Sequence, residues 1–226
     1  YTRYIGNSDK MTEQEFKEAL KMKIKKGEYY EFSVIRRRFN CNDYWYGNRF
    51  YFLNNNDLGY GFERKSFADY KCYPRYRFSL AAKEDQLQQI LSSLPEGMRL
   101  ERIDQSWFEY SRKVAWMRDF CSQFTCWEDY ARWGCGFLLT KEGRPLSGAS
   151  SYLVSESGFT IQVQTEDSQQ GRGYAKFPSA ALIAAALEQG IYPDWDADNE
   201  ASARLAQRLG YQLEGSYETI LVQQRV

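Results

Sequence analysis

The stretch Gln170-Gly171-Arg172-Gly173-Tyr174-Ala175 decides how this sequence is read. It follows Phe159 to Thr165, where Phe159, Ile161 and Val163 alternate with Thr160, Gln162 and Gln164, the pattern of a half-buried strand. It precedes an apolar run predicted as a helix from about Gly173 to Gln189 and stopped by Gly190. Small residues at Gly171, Gly173 and Ala175 let a backbone pass close to a bulky anion. The first amides of a helix point outward unpaired, and the helix dipole favours negative charge there. The loop therefore fits a pyrophosphate cradle. Taken alone, the six residues fit an ordinary glycine turn before a helix equally well. Neither a Walker-type GxxxxGK(S/T) loop nor a GxGxxG turn after the strand is present.

Outward from the loop the elements alternate. Trp133 to Thr140 reads as a strand, Lys141-Glu142-Gly143 as a hairpin turn, Leu146 to Leu153 as the returning strand and Glu156-Ser157-Gly158 as the next turn. Beyond the helix, Ile191 to Asp196 reads as a short strand. Glu200 to Leu209 reads as a helix stopped by Gly210, and Tyr211 to Gln224 as two final strands. This order predicts an α/β (α+β) chain on a mixed central sheet flanked by helices. Gln105 to Phe124 is expected to be helical over much of its length. Pro95-Glu96-Gly97 is a turn signal taken as a boundary, with a smaller α+β N-terminal segment over 1–94 and the main domain over 95–226. Within the first segment Met11 to Lys26 reads as a helix opened by a Thr12/Glu15 capping box. Tyr29 to Arg38, Arg49 to Leu53 and Tyr60 to Glu63 read as strands, and Lys83 to Leu94 as a helix with Leu87, Ile90, Leu91 and Leu94 on one face.

Composition excludes whole classes of chemistry. There is no histidine among the 226 residues. Ser-His-Asp and Cys-His nucleophile systems, His-ligated metals and histidine general bases are therefore absent. Five cysteines have no framework spacing, and Cys121 and Cys126 do not form a CxxC pair, so reduced, buried thiols and no metal are expected. Thirty Lys and Arg balance thirty Asp and Glu. That neutrality removes the electrostatic drive for nucleic acid, although Arg36-Arg37-Arg38 with Tyr44-Trp45-Tyr46 and Phe50-Tyr51-Phe52 mixes basic and aromatic residues. No nucleic-acid partner is expected. The longest apolar stretch, Ala180 to Leu187, is too short to span a bilayer, and a cytoplasmic protein with no membrane partner is the expectation.

The spacing Gln170-x-x-Gly173-x-Ala175 resembles the acetyl-CoA loop of the GNAT N-acetyltransferase superfamily. Asn199, followed by Ser202, Leu205, Gly210 and Tyr211, resembles the superfamily's later motif, in which an Asn opens a helix ending in Gly-Phe/Tyr. Three further segments are similar to the bacterial group that includes the zwittermicin-A-resistance acetyltransferases. They are Trp116-x-Arg118-Asp119-Phe120-Cys121-Ser122-Gln123-Phe124, Ser147-Gly148-Ala149-Ser150-Ser151-Tyr152 and Tyr192-Pro193-x-Trp195-Asp196-Ala197-x-Asn199. The resemblance covers roughly Pro95 to Thr219.

The resemblance implies a GNAT fold and transfer of acetyl from acetyl-CoA to the primary amine of a small molecule. Attack would be direct, in a ternary complex and without a metal. It implies that Val163 and Thr165 pair through their backbone with the pantetheine arm. The amides of Gly171, Arg172, Gly173, Tyr174 and Ala175 beside Gln170 would hold the pyrophosphate, with Asn199 and Ser202 near the pantetheine. Asn199 serves equally well as a helix N-cap, and the two roles are compatible. Arg118, Asp119, Ser122 and Gln123 fall on the acceptor side, where an internal Arg-Asp pair is the competing reading. A homodimer is the assembly the resemblance allows.

Two positions depart from the superfamily pattern. The place of the tyrosine that many members use to protonate the departing thiolate is Ala206. The strand that often carries a basic glutamate carries Thr160, Gln162 and Gln164 instead. Asp196 and Tyr211 are left as the candidates for proton transfer, with water as a relay. The competing function is an acyl-CoA-binding or sensor module without turnover.

Overall fold

The computed structural model describes residues 30–32, 69–155 and 157–223. The Met11 to Lys26 helix, the Arg49 to Leu53 and Tyr60 to Glu63 strands and the Arg36 to Phe52 cluster lie outside the described residues. Of the expected Tyr29 to Arg38 strand, β1 (Tyr30–Phe32) is described. The described chain falls into two compact units, Tyr76–Gly215 in one and residues 30–32, 69–75 and 216–223 in the other. In the second unit β1 runs antiparallel to the end of the last strand, Tyr30 opposite Val222.

The larger unit begins inside β2 (Asp69–Leu80), a strand whose Tyr76-x-Phe78-x-Leu80 alternation the sequence reading passed over. Helix α1 (Glu84–Ser92) follows, within the expected Lys83 to Leu94 span, and buries Leu87. The Pro95-Glu96-Gly97 turn lies inside this unit and leads into β3 (Met98–Arg102), a strand not expected from the sequence. Residues before the turn share a core with residues far beyond it: Phe78 and Leu87 pack in one cluster with Ile183, Leu209 and Tyr211.

The expected helix over Gln105 to Phe124 is broken into pieces. α2 (Gln105–Ser111) is capped by Asp104, whose carboxylate accepts the Trp107 N–H at 2.9 Å. The N–H and hydroxyl bonds to Asp104 hold its carboxyl below the usual range. A short 3₁₀ segment, Ala115–Phe120, comes next, after Val114 in extended conformation, and then α3 (Trp127–Trp133). Geometry explains the break. In one continuous helix Phe108 and Met117 would point in opposite directions, nine residues at about 100° each. Interrupted, both enter the same core with Phe120, Phe124 and Tyr130.

β4 (Gly136–Lys141) and β5 (Arg144–Val154) form the expected hairpin. Its two-residue turn, Glu142-Gly143, has positive φ at both positions (53° and 74°), the twist-matched geometry of tight hairpins. β6 (Gly158–Thr165), α4 (Lys176–Glu188) and β7 (Tyr192–Asp194) complete a five-stranded sheet of order β3-β4-β5-β6-β7. All its pairings are antiparallel except β6 with β7. β5 is buried from Pro145 to Val154, as expected of a central strand covered on both faces.

The segment expected as one strand over Ile191 to Asp196 is divided at Trp195. β7 ends the five-stranded sheet, whereas β8 (Asp196–Ala197) pairs antiparallel with β2, Arg77 opposite Asp196. α5 (Glu200–Arg208) follows, and β9 (Tyr211–Gln223) runs as one strand where two were expected. The architecture is thus the mixed α/β arrangement with flanking helices that the element order implied.

Candidate active site

The sheet opens between β6 and β7. Their parallel ladder pairs Gly158 with Tyr192, Phe159 with Pro193 and Thr160 with Asp194, and goes no further. From Ile161 to Thr165, β6 keeps its partner β5 but has none on the other side among the described residues. Alternation decides which backbone groups face the opening. The Glu166 N–H donates to Leu146 O, so Glu166, Gln164 and Gln162 direct their main-chain groups to β5. Ile161, Val163 and Thr165 direct theirs into the gap. Val163 and Thr165 are the two positions proposed from sequence for a pantetheine arm.

At the end of this free edge lies the loop. Gln170 donates its side-chain N–H to Asp167 Oδ1 at 3.0 Å and to the Thr165 carbonyl at 3.5 Å. Gly171 and Gly173 have φ of 76° and 73°, which L side chains rarely adopt. A Cβ built on either would meet nothing within 4 Å, so backbone conformation and open space in front of the loop, rather than crowding, call for glycine. Among the described residues, the N–H groups of Gly171, Arg172, Gly173, Tyr174 and Ala175 donate to no protein acceptor. Helix α4 follows at once with no side-chain cap. A row of outward amides ending in a helix N-terminus fits a phosphate. Arg172 is exposed beside it.

The far wall of the opening is the chain after β7. Trp195, nearly fully buried, donates its indole N–H to Ser202 Oγ at 3.2 Å and packs on Tyr211, ring centroids 5.5 Å apart. Asp196 follows on β8, half-buried. Asn199 caps α5, its Oδ1 accepting the Ser202 N–H at 2.9 Å, and its amide donates to Asp198. Ser202 is thus engaged through its N–H by Asn199 and through its hydroxyl by Trp195. Tyr211 is buried, and its hydroxyl donates to the Pro193 carbonyl at 2.7 Å, tying β9 to β7. Ala206 is fully buried, packed in the cluster of Phe78, Trp195, Leu209 and Tyr211.

The 3₁₀ segment lies over the sheet face opposite α4. A Cβ on Gly148 would stand 2.7 Å from the Phe120 ring, and Gly148 lies opposite Gln164 in the ladder. Phe120, Gln162 and Gln164 therefore share one face. Arg118 is exposed on that segment, Asp119 is half-buried, and Ser122 Oγ is buried with no hydrogen-bond partner among the described residues. Gln123 is buried. Burial pushes the neighbouring Cys121 thiol up to about 12, against which a bond with Ser111 and the charge of Arg112 act only weakly. A covalent acyl carrier at Cys121 is incompatible with that environment.

The sequence profile described as GNAT acetyltransferase matches residues 48–220. The chain belongs to the GNAT acetyltransferase family. A GCN5-related N-acetyltransferase-like protein from Streptococcus suis is 31% identical and superposes with a TM-score of 0.67, over 70% of this chain and 65% of that one. The uncharacterized N-acetyltransferase YdfB of Bacillus subtilis is 27% identical over 128 residues. This chain spans about half of it, 48%, and the match takes in 55% of this chain. A tandem GNAT protein from the clavulanic acid biosynthesis pathway shares the fold, with a TM-score of 0.51 at 10% identity over 69% of this chain and 54% of that one.

For this GNAT chain the sequence reading passed over two buried polar residues, on β7 and α4. One is Asp194, a buried carboxylate at the last rung of the β6–β7 ladder. Its signal was an acid inside a short strand. The other is Ser179, fully buried on α4 with a hydroxyl lacking any partner among the described residues. Nothing in the local pattern distinguishes it from an ordinary helix serine.

Proposed function

We propose that this GNAT chain is an N-acetyltransferase that passes acetyl from acetyl-CoA to the primary amine of a small molecule by direct attack. The observation that carries the reading is the free edge of β6 running into a glycine loop whose amides have no protein acceptor. When bound, acetyl-CoA supplies an activated acyl group on a thioester. The residues of this chain do the rest. Amides of residues 171–175 neutralise the pyrophosphate and fix the far end of the molecule. Main-chain groups of Val163 and Thr165 hold the arm in the gap, and a fixed backbone donor there favours a developing oxyanion. Orientation of amine against thioester supplies much of the rate enhancement, so a modest base suffices.

Asp196, half-buried on the far wall, takes the proton role, directly or through water. Tyr211 is assigned to holding the strands, since its hydroxyl is engaged by Pro193. Arg118, Asp119, Ser122 and Gln123 belong to the acceptor side. Among the described residues no helix is long and apolar enough to cross a membrane, and a cytoplasmic location is part of this reading.

Titration calorimetry with acetyl-CoA, paired with CoA release over a panel of amines, tests it. Binding together with release by at least one amine is the expected result. Binding with no release over the whole panel would favour an acyl-CoA-binding module, which Ala206 and the glutamines on β6 support.

A further inference from the structure

Among the described residues, two carboxamides on the free part of β6 have no hydrogen-bond partner. Gln162 and Gln164 are half-buried, and neither side chain makes a hydrogen bond to another described residue. The ladder explains why. The residue opposite Gln162 is Ser150, whose hydroxyl already pairs with Tyr130 Oη at 2.9 Å. The residue opposite Gln164 is Gly148, which has no side chain. On the other side β7 has parted from β6 at Thr160. The two carboxamides therefore stand unpartnered on the sheet face beside the gap, about 7 Å apart at the backbone.

This face, shared with the Phe120 segment, is the acceptor side of the proposed site. On the reverse face Ile161 and Val163 are covered by the α4 cluster of Ala180 and Ile183. A group approaching the gap must come over Gln162 and Gln164, beside the segment of Arg118 and Phe120. That segment carries the exposed Arg118 and, next to it, the half-buried Asp119. A carboxamide offers an N–H donor and a carbonyl acceptor together, and leaving both unmet under a bound ligand costs affinity. A ligand amide, with a carbonyl and an N–H of its own, satisfies them.

Resting on the acetyltransferase reading above, we infer that the acceptor is a primary amine bearing an adjacent amide, as in an amino-acid amide, held by Gln162 and Gln164.

The test compares glycinamide with isobutylamine, its apolar isostere, and with 1,4-diaminobutane. CoA release is followed in the parent protein and in Gln162→Leu and Gln164→Leu. The ratio of kcat/KM for glycinamide over isobutylamine is expected to fall about tenfold in each variant, the scale of an unpaired polar contact. A ratio unchanged within about twofold, or a parent that prefers the diamine, overturns the assignment. Calorimetry of N-acetylglycinamide on the CoA-saturated protein is the second readout and needs no turnover. Binding that weakens in both variants supports the assignment, and its absence in the parent overturns it. Acetyl-CoA affinity of the parent is measured alongside. Its absence would sink the acetyltransferase reading and this inference together, whereas its presence with no amide preference sinks the inference alone.

Discussion

Thr160 faces Asp194 as the last rung between β6 and β7, and the candidate site lies beyond that rung. The same threonine also repairs an irregularity on its other side. The β5–β6 register shifts between Ser151 and Val154, and Thr160 Oγ1 accepts the Leu153 N–H there at 3.1 Å, in a buried position. One residue thus closes the ladder on one side and satisfies a stray donor on the other.

Thr160→Val keeps the shape and removes the acceptor. A buried unpaired N–H costs roughly 1–3 kcal/mol. Urea unfolding should show a loss in that range, and an unchanged midpoint would mean that water replaces the hydroxyl.

Gly173→Glu puts bulk and negative charge into the loop and forces a side chain onto φ of 73°. Acetyl-CoA affinity is expected to fall at least about a hundredfold, some 2.7 kcal/mol. Calorimetry on the folded variant, checked by circular dichroism, decides it. Unchanged affinity would remove the loop from the site.

Ala206→Tyr introduces the tyrosine that the superfamily resemblance leads one to expect at this position. The structure predicts harm rather than rescue, because Ala206 is fully buried among Phe78, Leu209 and Tyr211. Overpacking costs typically 1–3 kcal/mol, so the melting temperature should drop without a gain in kcat. A gain in kcat would show that the core opens toward the site.

Asp196→Asn and Tyr211→Phe separate proton transfer from support. Asp196→Asn is expected to lower kcat about 10²-fold with acetyl-CoA affinity retained, within the usual range for a general base. Tyr211→Phe leaves the Pro193 carbonyl without its donor and should lower stability by about 1–2 kcal/mol, with a smaller effect on kcat. The reverse ranking in kcat would move the proton role to Tyr211.

Alkaline pH should destabilise the fold through its buried acids. Burial raises the Cys121 thiol from 9.0 to about 12, and raises Cys135 and Tyr130 as well. Between pH 9 and 12 the unfolded chain has lost the Cys121 proton while the native chain retains it. Stability from this group is therefore complete below pH 9 and is lost as pH rises toward 12, by up to about 1.4 kcal/mol per pH unit. Denaturant midpoints across that range should fall less steeply for Cys121→Ala. No acyl adduct on Cys121 should appear by mass spectrometry after incubation with acetyl-CoA.

Local signals carried much of the site and the parts of the fold next to it. Glu142-Gly143 at a hairpin, the alternation along Phe159 to Thr165 and the glycines at 171 and 173 are each dictated by short-range chemistry, and the loop, its strand and its helix were legible together. The breaks in Gln105 to Phe124 were not. A run of good helix formers conceals that Phe108 and Met117 must reach the same core. β3 was hidden too, because it is short, with Met98 and Leu100 as its two apolar residues, and it is held at the sheet edge by β4.

The sequence by itself determined the kind of chemistry open to this protein: no histidine, no carboxylate on the strand before the loop, and a glycine loop shaped for an anion. Only the tertiary structure decided where that chemistry sits. The division of one apparent strand at Trp195 between two sheets opens the gap beside Val163 and Thr165. Partners distant in the chain, Pro193 for Tyr211 and Leu153 for Thr160, decide which polar groups are already engaged and which face the opening. Hydrogen-bond partners and ladder ends are set by residues far apart in the chain, so no local pattern reveals them.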